Sequence, residues 1–159
     1  MVILLSKLIQ VILVHKDNLK VGEETLGNLY KLLISGAQLV YRRGLLRKGV
    51  GLCHGIGGNI YALLAASDIL DTGTSHPPST IADLTQNEWK YFATAAHMAY
   101  LAKFHNDPAV LPDMRIPDHP WSLYEGMAGM CCAWAEVLCR FETRSPMRMK
   151  SGFPAYDDL

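Results

Sequence analysis

The stretch GLCHGIGGNIYALL, residues 51–64, places Cys53 directly beside His54 among four glycines and then continues as an apolar run. Cysteine sulfur and histidine nitrogen are both zinc ligands, but neighbouring side chains on a helix or strand point apart. Glycines permit a tight bend that turns both side chains toward one point. The apolar run predicts a helix beginning at the bend, whose free first-turn N–H groups would favour a nearby thiolate. The alternative is a buried thiol beside a helix-capping imidazole.

A second stretch repeats this pattern later in the chain. EGMAGMCCAWAEVLCRF, residues 125–141, aligns with HGIGGNIYALLAASDIL, residues 54–70, at a constant offset of 71 residues. The matched positions are Gly55 with Gly126, Gly58 with Gly129, and Ala62 with Ala133. Helical repeats of this size cannot bury their faces alone, so they stack or close on themselves.

Short apolar helices alternate with longer amphipathic ones along the chain. Residues 2–13 are apolar on nearly every side, which is typical of a buried helix. Residues 23–43 and 87–107 are longer and amphipathic, with Asn87 as a predicted N-cap. No segment alternates as a strand does, and four prolines within residues 106–121 exclude a helix there. We therefore predict an all-α fold, a partial α/α toroid of about five helices in two layers, forming one domain over residues 1–159.

Composition and charge narrow the function classes. The chain has 15 basic and 15 acidic residues, so it offers no electrostatic footprint for nucleic acid. The apolar N-terminal segment is interrupted by Lys7, is shorter than the roughly 20 residues of a membrane span, and lacks the features of a signal peptide. Four cysteines are too few for a disulfide framework, which predicts a reducing, cytoplasmic location. The tail residues Phe153 and Tyr156 are expected to pack against the body.

Three segments together resemble the lanthionine synthetase C-like (LanC-like) family. They are GLLRKGVGLCHGIGGNIYALL at residues 44–64, RIPDHPWSLYEGMAG at 115–129 and GFPAYDDL at 152–159, in the family's order. The resemblance covers roughly residues 25–159 and implies an α/α toroid with a central zinc ion held by two cysteines and one histidine. It also implies that the zinc activates a thiol, either glutathione or a peptide cysteine, for addition to dehydroamino acids in a dehydrated peptide or protein.

The resemblance assigns roles residue by residue. Cys53 and His54 match the adjacent zinc ligands, and Lys48 and Arg115 match basic positions associated with binding glutathione. Either cation could meet a carboxylate, and arginine would do so bidentately. The alternative for both is a role in surface solubility. Glu125 stands where the first repeat has His54, and is interpreted as a helix cap or loop brace.

The resemblance also predicts what lies outside this sequence. The remaining cysteine ligand is expected upstream, in a Trp-Cys-x-Gly-x-x-Gly motif, so the chain resembles only the C-terminal portion of the family, with catalysis impaired and catalytic residues unassigned. Inner helices of an open toroid would expose apolar faces. The remaining cysteines are interpreted as core residues or, less simply, as substitute ligands: Cys131, Cys132 and Cys139. His97 and His105 are interpreted as solvated or structural.

Three other interpretations stay open. The first is a non-catalytic module that binds glutathione or a signalling partner, with membrane association possible but not indicated. The second is a product that does not fold stably. The third is a sugar-processing α/α barrel, which requires paired carboxylates, and Asp118 and Glu125 are the only nearby candidates.

Overall fold

The computed structural model describes residues 1–71, 90–142 and 152–154. Within these ranges the secondary structure is entirely helical, which confirms the predicted all-α class. The helices are α1 (Val2–Val14), α2 (Glu23–Arg43), α3 (Ile56–Leu70), α4 (Lys90–Ala102) and α5 (Met127–Glu142). The predicted N-cap Asn87 lies outside the described residues, and residues 106–121 are irregular, as their prolines predict.

The helices form two layers around α3. The helix α3 contacts all four of the others, with α1 and α5 beside it in one layer and α2 and α4 in the other. Its fully enclosed side chains are Ile56, Ile60, Leu63 and Leu64. A helix that is apolar on every side is stable only when neighbours cover every side, which places the apolar α3 at the centre. The arrangement agrees with part of an α/α toroid.

The helix α1 departs from its predicted burial. It buries Val2, Ile9 and Ile12 against its neighbours but leaves Leu4 72% and Val11 49% exposed. The cause is that, among the described helices, its main contacts are with α2 and α3. The prediction of a fully buried helix is therefore wrong for this face, whereas the expectation that inner helices expose apolar surface is confirmed.

The repeat seen in the sequence is also a repeat of backbone structure. The N–H of Ile56 donates to the carbonyl of Gly49 at 3.1 Å, and the N–H of Met127 donates to the carbonyl of Pro120 at 2.7 Å. The two bonds are related by the same offset as the glycines, and each closes a loop onto the first residue of a helix. Residues 49–55 and 120–126 are thus two copies of one bend, and each bend leads directly into a helix.

A partly buried ionic cluster joins α3 to α5 away from these bends. The Arg140 guanidinium lies 2.8 Å from Asp68 Oδ1 and 2.7 Å from Glu136 Oε1. Burial lowers the pKa of Arg140, but the attraction of Asp68 and Glu136 outweighs it and the pKa is raised. Because Glu136 is buried and needs a partner, the cluster fixes the contact between the two repeated helices.

Two further features complete the body. Phe153 packs edge-on against Tyr61, with ring centroids 5.3 Å apart, which confirms that the tail returns to the body. Tyr156 lies outside the described residues. In the part of the chain that the structure describes, none of the helices has the length and apolarity needed to cross a membrane.

Candidate metal and thiol site

The bend before α3 is built by close backbone contacts that only glycine allows. Gly49 has φ of +120°, a conformation that other residues rarely adopt. A Cβ on Gly51 would overlap the backbone of Glu125, and one on Gly55 would overlap the backbone of Gly51. The glycines therefore let the bend fold tightly on itself and dock against the second repeat.

The first turn of α3 does not offer free N–H groups. The N–H groups of Ile56, Gly57 and Gly58 donate to the carbonyls of residues 49, 50 and 51 at 3.1, 3.1 and 3.2 Å. The prediction that these groups would favour a thiolate is therefore wrong, because the glycine bend itself supplies their acceptors. Whatever holds an anion here must come from side chains or a metal.

Cys53 and His54 project together from the bend into solvent. Both side chains are exposed, and Cys53 Sγ lies 2.5 Å from His54 Nδ1. The helix α3 has no side-chain cap hydrogen bond. The alternative of a buried thiol beside a capping imidazole is therefore contradicted, and the two soft donor atoms converge as the glycine bend predicts.

The pair fits part of a zinc shell. Ligand atoms of one tetrahedral zinc lie about 3.6 Å apart, so the two donors would separate by about 1 Å, which exposed side chains can do by rotation. Among residues 1–71, 90–142 and 152–154, no group of three or more His, Cys, Asp or Glu side chains could hold a metal. The described chain thus contributes two donors of the predicted set.

The second repeat braces the bend through its backbone. The N–H of Cys53 donates to the carbonyl of Tyr124 at 2.9 Å, and Gly51 lies against Glu125. The N–H of Glu125 donates in turn to the Oγ of Ser122 at 3.1 Å. These contacts agree with the interpretation of Glu125 as a loop brace. The part played by Tyr124 escaped the sequence analysis because a carbonyl contact leaves no side-chain signal.

A backbone hydrogen bond joins the segments that carry Lys48 and Arg115. The N–H of Arg115 donates to the carbonyl of Arg47, the residue before Lys48, at 2.8 Å. The neighbouring Arg47 pairs with Asp113 at 2.9 Å, although both side chains are highly exposed. Lys48 and Arg115 are also exposed, and neither forms an ion pair within the described ranges. The structure therefore joins the backbones of the two segments that carry the predicted substrate-binding cations.

The other candidate ligands are dispersed. Cys131 and Cys139 are exposed, which contradicts their interpretation as core cysteines, and only Cys132 packs against the core. The reason is that α5, like α1, lies at the edge of its layer and turns one face away from α3. His97 is exposed, and His105 is half-buried with its Nδ1 3.1 Å from the carbonyl of Ala102.

Comparison with known proteins identifies the family of this chain. The family model described as lanthionine synthetase C-like protein matches residues 26–149. A Danio rerio protein named glutathione S-transferase LANCL1 is 32% identical over 121 residues, which cover 76% of this chain and 23% of that protein. The Arabidopsis thaliana LanC-like protein GCL1 is 29% identical over 115 residues, covering 71% of this chain and 22% of that protein. The chain spans less than a quarter of the length of these relatives, and it belongs to the lanthionine synthetase C-like family.

Proposed function

We propose that this chain holds zinc through Cys53 and His54 and positions a thiol, glutathione in the first instance, for addition to a dehydroamino acid. The observation that carries the proposal is the convergence of Cys53 Sγ and His54 Nδ1 on an exposed glycine bend. Membership of the LanC-like family and the name of the Danio rerio relative support the choice of glutathione.

The chain's own residues would bind and orient the thiol. Lys48 and Arg115 lie on segments joined by the hydrogen bond from Arg115 to Arg47, and in this proposal both bind one peptide that carries two carboxylates. Glutathione carries two carboxylates and a thiol between them. Holding one carboxylate on each cation would leave the cysteinyl sulfur free to reach the bend.

The zinc, when bound, supplies a Lewis acid that lowers the pKa of a coordinated thiol. In the net reaction the thiol loses its proton and its sulfur forms a bond to the β-carbon of dehydroalanine or dehydrobutyrine. The alkene π electrons move to the α-carbon, which takes up a proton, so the addition needs no oxidant or reductant. We assign no described residue to this proton transfer, and we place the reaction in the cytoplasm, where thiols stay reduced.

A second candidate is glutathione binding without chemistry. It is supported by the backbone hydrogen bond that joins the segments carrying the two cations, because this bond involves no metal. The two candidates share the cationic site and differ in their need for zinc.

Calorimetric titration with glutathione tests the cationic site. Arg115→Gln and Lys48→Gln are each expected to weaken binding by about tenfold, because a charge-assisted hydrogen bond contributes about 1.5–3 kcal/mol. Lys103→Gln is the control, since Lys103 is exposed at the end of α4 and stacks on Tyr100. Equal affinity in all four proteins would refute the assigned roles.

Mass spectrometry of a dehydroalanine peptide incubated with glutathione separates the candidates. The catalytic candidate predicts an adduct whose formation is lost both in Cys53→Ala and on chelation of zinc. Glutathione binding that survives both changes, with no adduct above the uncatalysed background, would favour the binding module.

A further inference from the structure

A hollow in the outer layer is separate from the Cys53 bend. It lies between the C-terminal end of α2 and the middle of α4 and has a volume of about 540 Å³. Its lining residues are Tyr41, Arg42, Gly44, Leu45, Ala93, Thr94, His97 and Met98. This volume falls within the range of about 300–1,000 Å³ that is typical of small-molecule sites.

The hollow has an apolar floor and a cationic rim. Met98 is only 4% exposed, and Leu45 and Ala93 are half-buried. Arg42 and His97 line the rim and are exposed. The hollow therefore offers an apolar surface to the body of a ligand and a cationic surface to its anionic group.

The charged side chains that line the hollow are cationic. No carboxylate is among the lining residues that the structure describes. Lys90 lies nearby, with its Nζ 5.4 Å from the ring centroid of Tyr41, and the Asp71 carboxylate offsets part of its charge. In a chain of zero net charge, the cationic lining of the hollow would attract an anion and favour it over a cation.

The floor is fixed to the core. Asn59, in the first turn of α3, donates its Nδ2–H to the carbonyl of Gly44 at 2.7 Å. A Cβ on Gly44 would lie 2.9 Å from Met98 Cε, so the absence of a side chain brings α2 and α4 close at this point. A hollow held in this way needs little reorganisation to accept a ligand.

We propose that this hollow is a second ligand site that binds a small carboxylate with an apolar body. The carboxylate would be held by the guanidinium of Arg42, with the imidazole of His97 as a second donor. The apolar body would lie on Leu45, Ala93 and Met98. The site shares no residue with the Cys53 bend and does not depend on zinc or glutathione.

Titration of the ¹⁵N-labelled chain with phenylacetate tests the site by NMR. Saturable shifts are expected for the amides of Ala93, Thr94 and Met98. Phenylacetamide, which has the same shape without the charge, is expected to bind about tenfold more weakly because it loses the charge-assisted bond. Inorganic phosphate is expected to produce no saturable shift at the floor residues.

Two variants assign the anion contact. Arg42→Gln is expected to weaken phenylacetate binding by about tenfold, whereas Arg43→Gln, in the same helical turn but outside the lining, changes it less than twofold. Both positions are exposed, so circular dichroism should show an unchanged fold. Equal binding of phenylacetate and phenylacetamide, competition by phosphate, or equal effects of the two variants would overturn the proposal.

Discussion

Individual glycines determine how closely the two repeats approach. A Cβ on Gly58 would overlap the carbonyl oxygen of Leu52, and a Cβ on Gly129 would overlap that of Leu123. Each pair has the same sequence separation, so the requirement for glycine is itself repeated. These positions serve close packing rather than unusual dihedral angles, since the described positive-φ glycine is Gly49.

A matched pair of glycine substitutions tests this argument. Gly58→Ala is expected to lower the free energy of unfolding by about 1–3 kcal/mol, because the new methyl group must displace backbone. Gly27→Ala, within α2 where nothing lies within 4 Å, is expected to raise it by about 0.5–1 kcal/mol. Urea unfolding of both variants measures the two signs. A Gly58→Ala chain as stable as the native protein would contradict the packing account.

Some properties of individual residues could be predicted from the sequence, and others could not. The convergence of Cys53 and His54 was predictable because glycine spacing and ligand chemistry are both local properties. The occupied N–H groups of Ile56 and Gly57 were not, since their acceptors depend on the path of the whole bend. The exposure of Cys131 was missed for a similar reason, because the identities of a helix's residues do not show which of its faces has a neighbour.

At the scale of elements, one helix is capped by the end of another. Asp71, which ends α3, accepts hydrogen bonds from the N–H groups of Tyr91 and Phe92 at 3.1 and 2.9 Å. Burial raises the pKa of the Asp71 carboxyl, although the two hydrogen bonds and Lys90 oppose the shift. The carboxylate therefore caps α4 at some cost in desolvation.

The raised pKa of Asp71 predicts how the stability of the chain depends on pH. Because the pKa of Asp71 is raised in the folded state, the folded chain binds the proton more tightly than the unfolded chain does. The native chain should therefore gain stability relative to Asp71→Asn as the pH falls from about 7 to about 4. Nearby Asp68 and Lys90 are present in both proteins and cancel in the difference. Urea unfolding across this range checks it, and a difference that is constant or changes in the opposite direction would contradict the assignment.

Element order was the most predictable part of the fold. The alternation of apolar and amphipathic helices predicted the two layers, but the second amphipathic helix, predicted over residues 87–107, ends at Ala102 and is followed by turns. The burial of α1 was also overestimated. An apolar circumference predicts neighbours on all sides, but the main helix contacts of α1 in the described ranges are with α2 and α3.

For the whole molecule, two segments that are far apart in the sequence meet at one place. Residues 47–55 contact residues 115–126 through backbone hydrogen bonds from Cys53 to Tyr124 and from Arg115 to Arg47. Each segment belongs to a stretch whose resemblance to the LanC-like family is visible in the sequence. The contacts among them are not visible there, because they depend on packing α5 against α3.

The most direct test of this account is the zinc content of the purified chain, measured by elemental analysis. The account predicts about one zinc per chain, which is lost in Cys53→Ala and in His54→Ala. The zinc should be retained in Cys139→Ala, because this exposed cysteine lies near the C-terminal end of α5. Absence of zinc from the native chain, or an equal content in Cys53→Ala, would contradict the claim that the glycine bend forms a metal site.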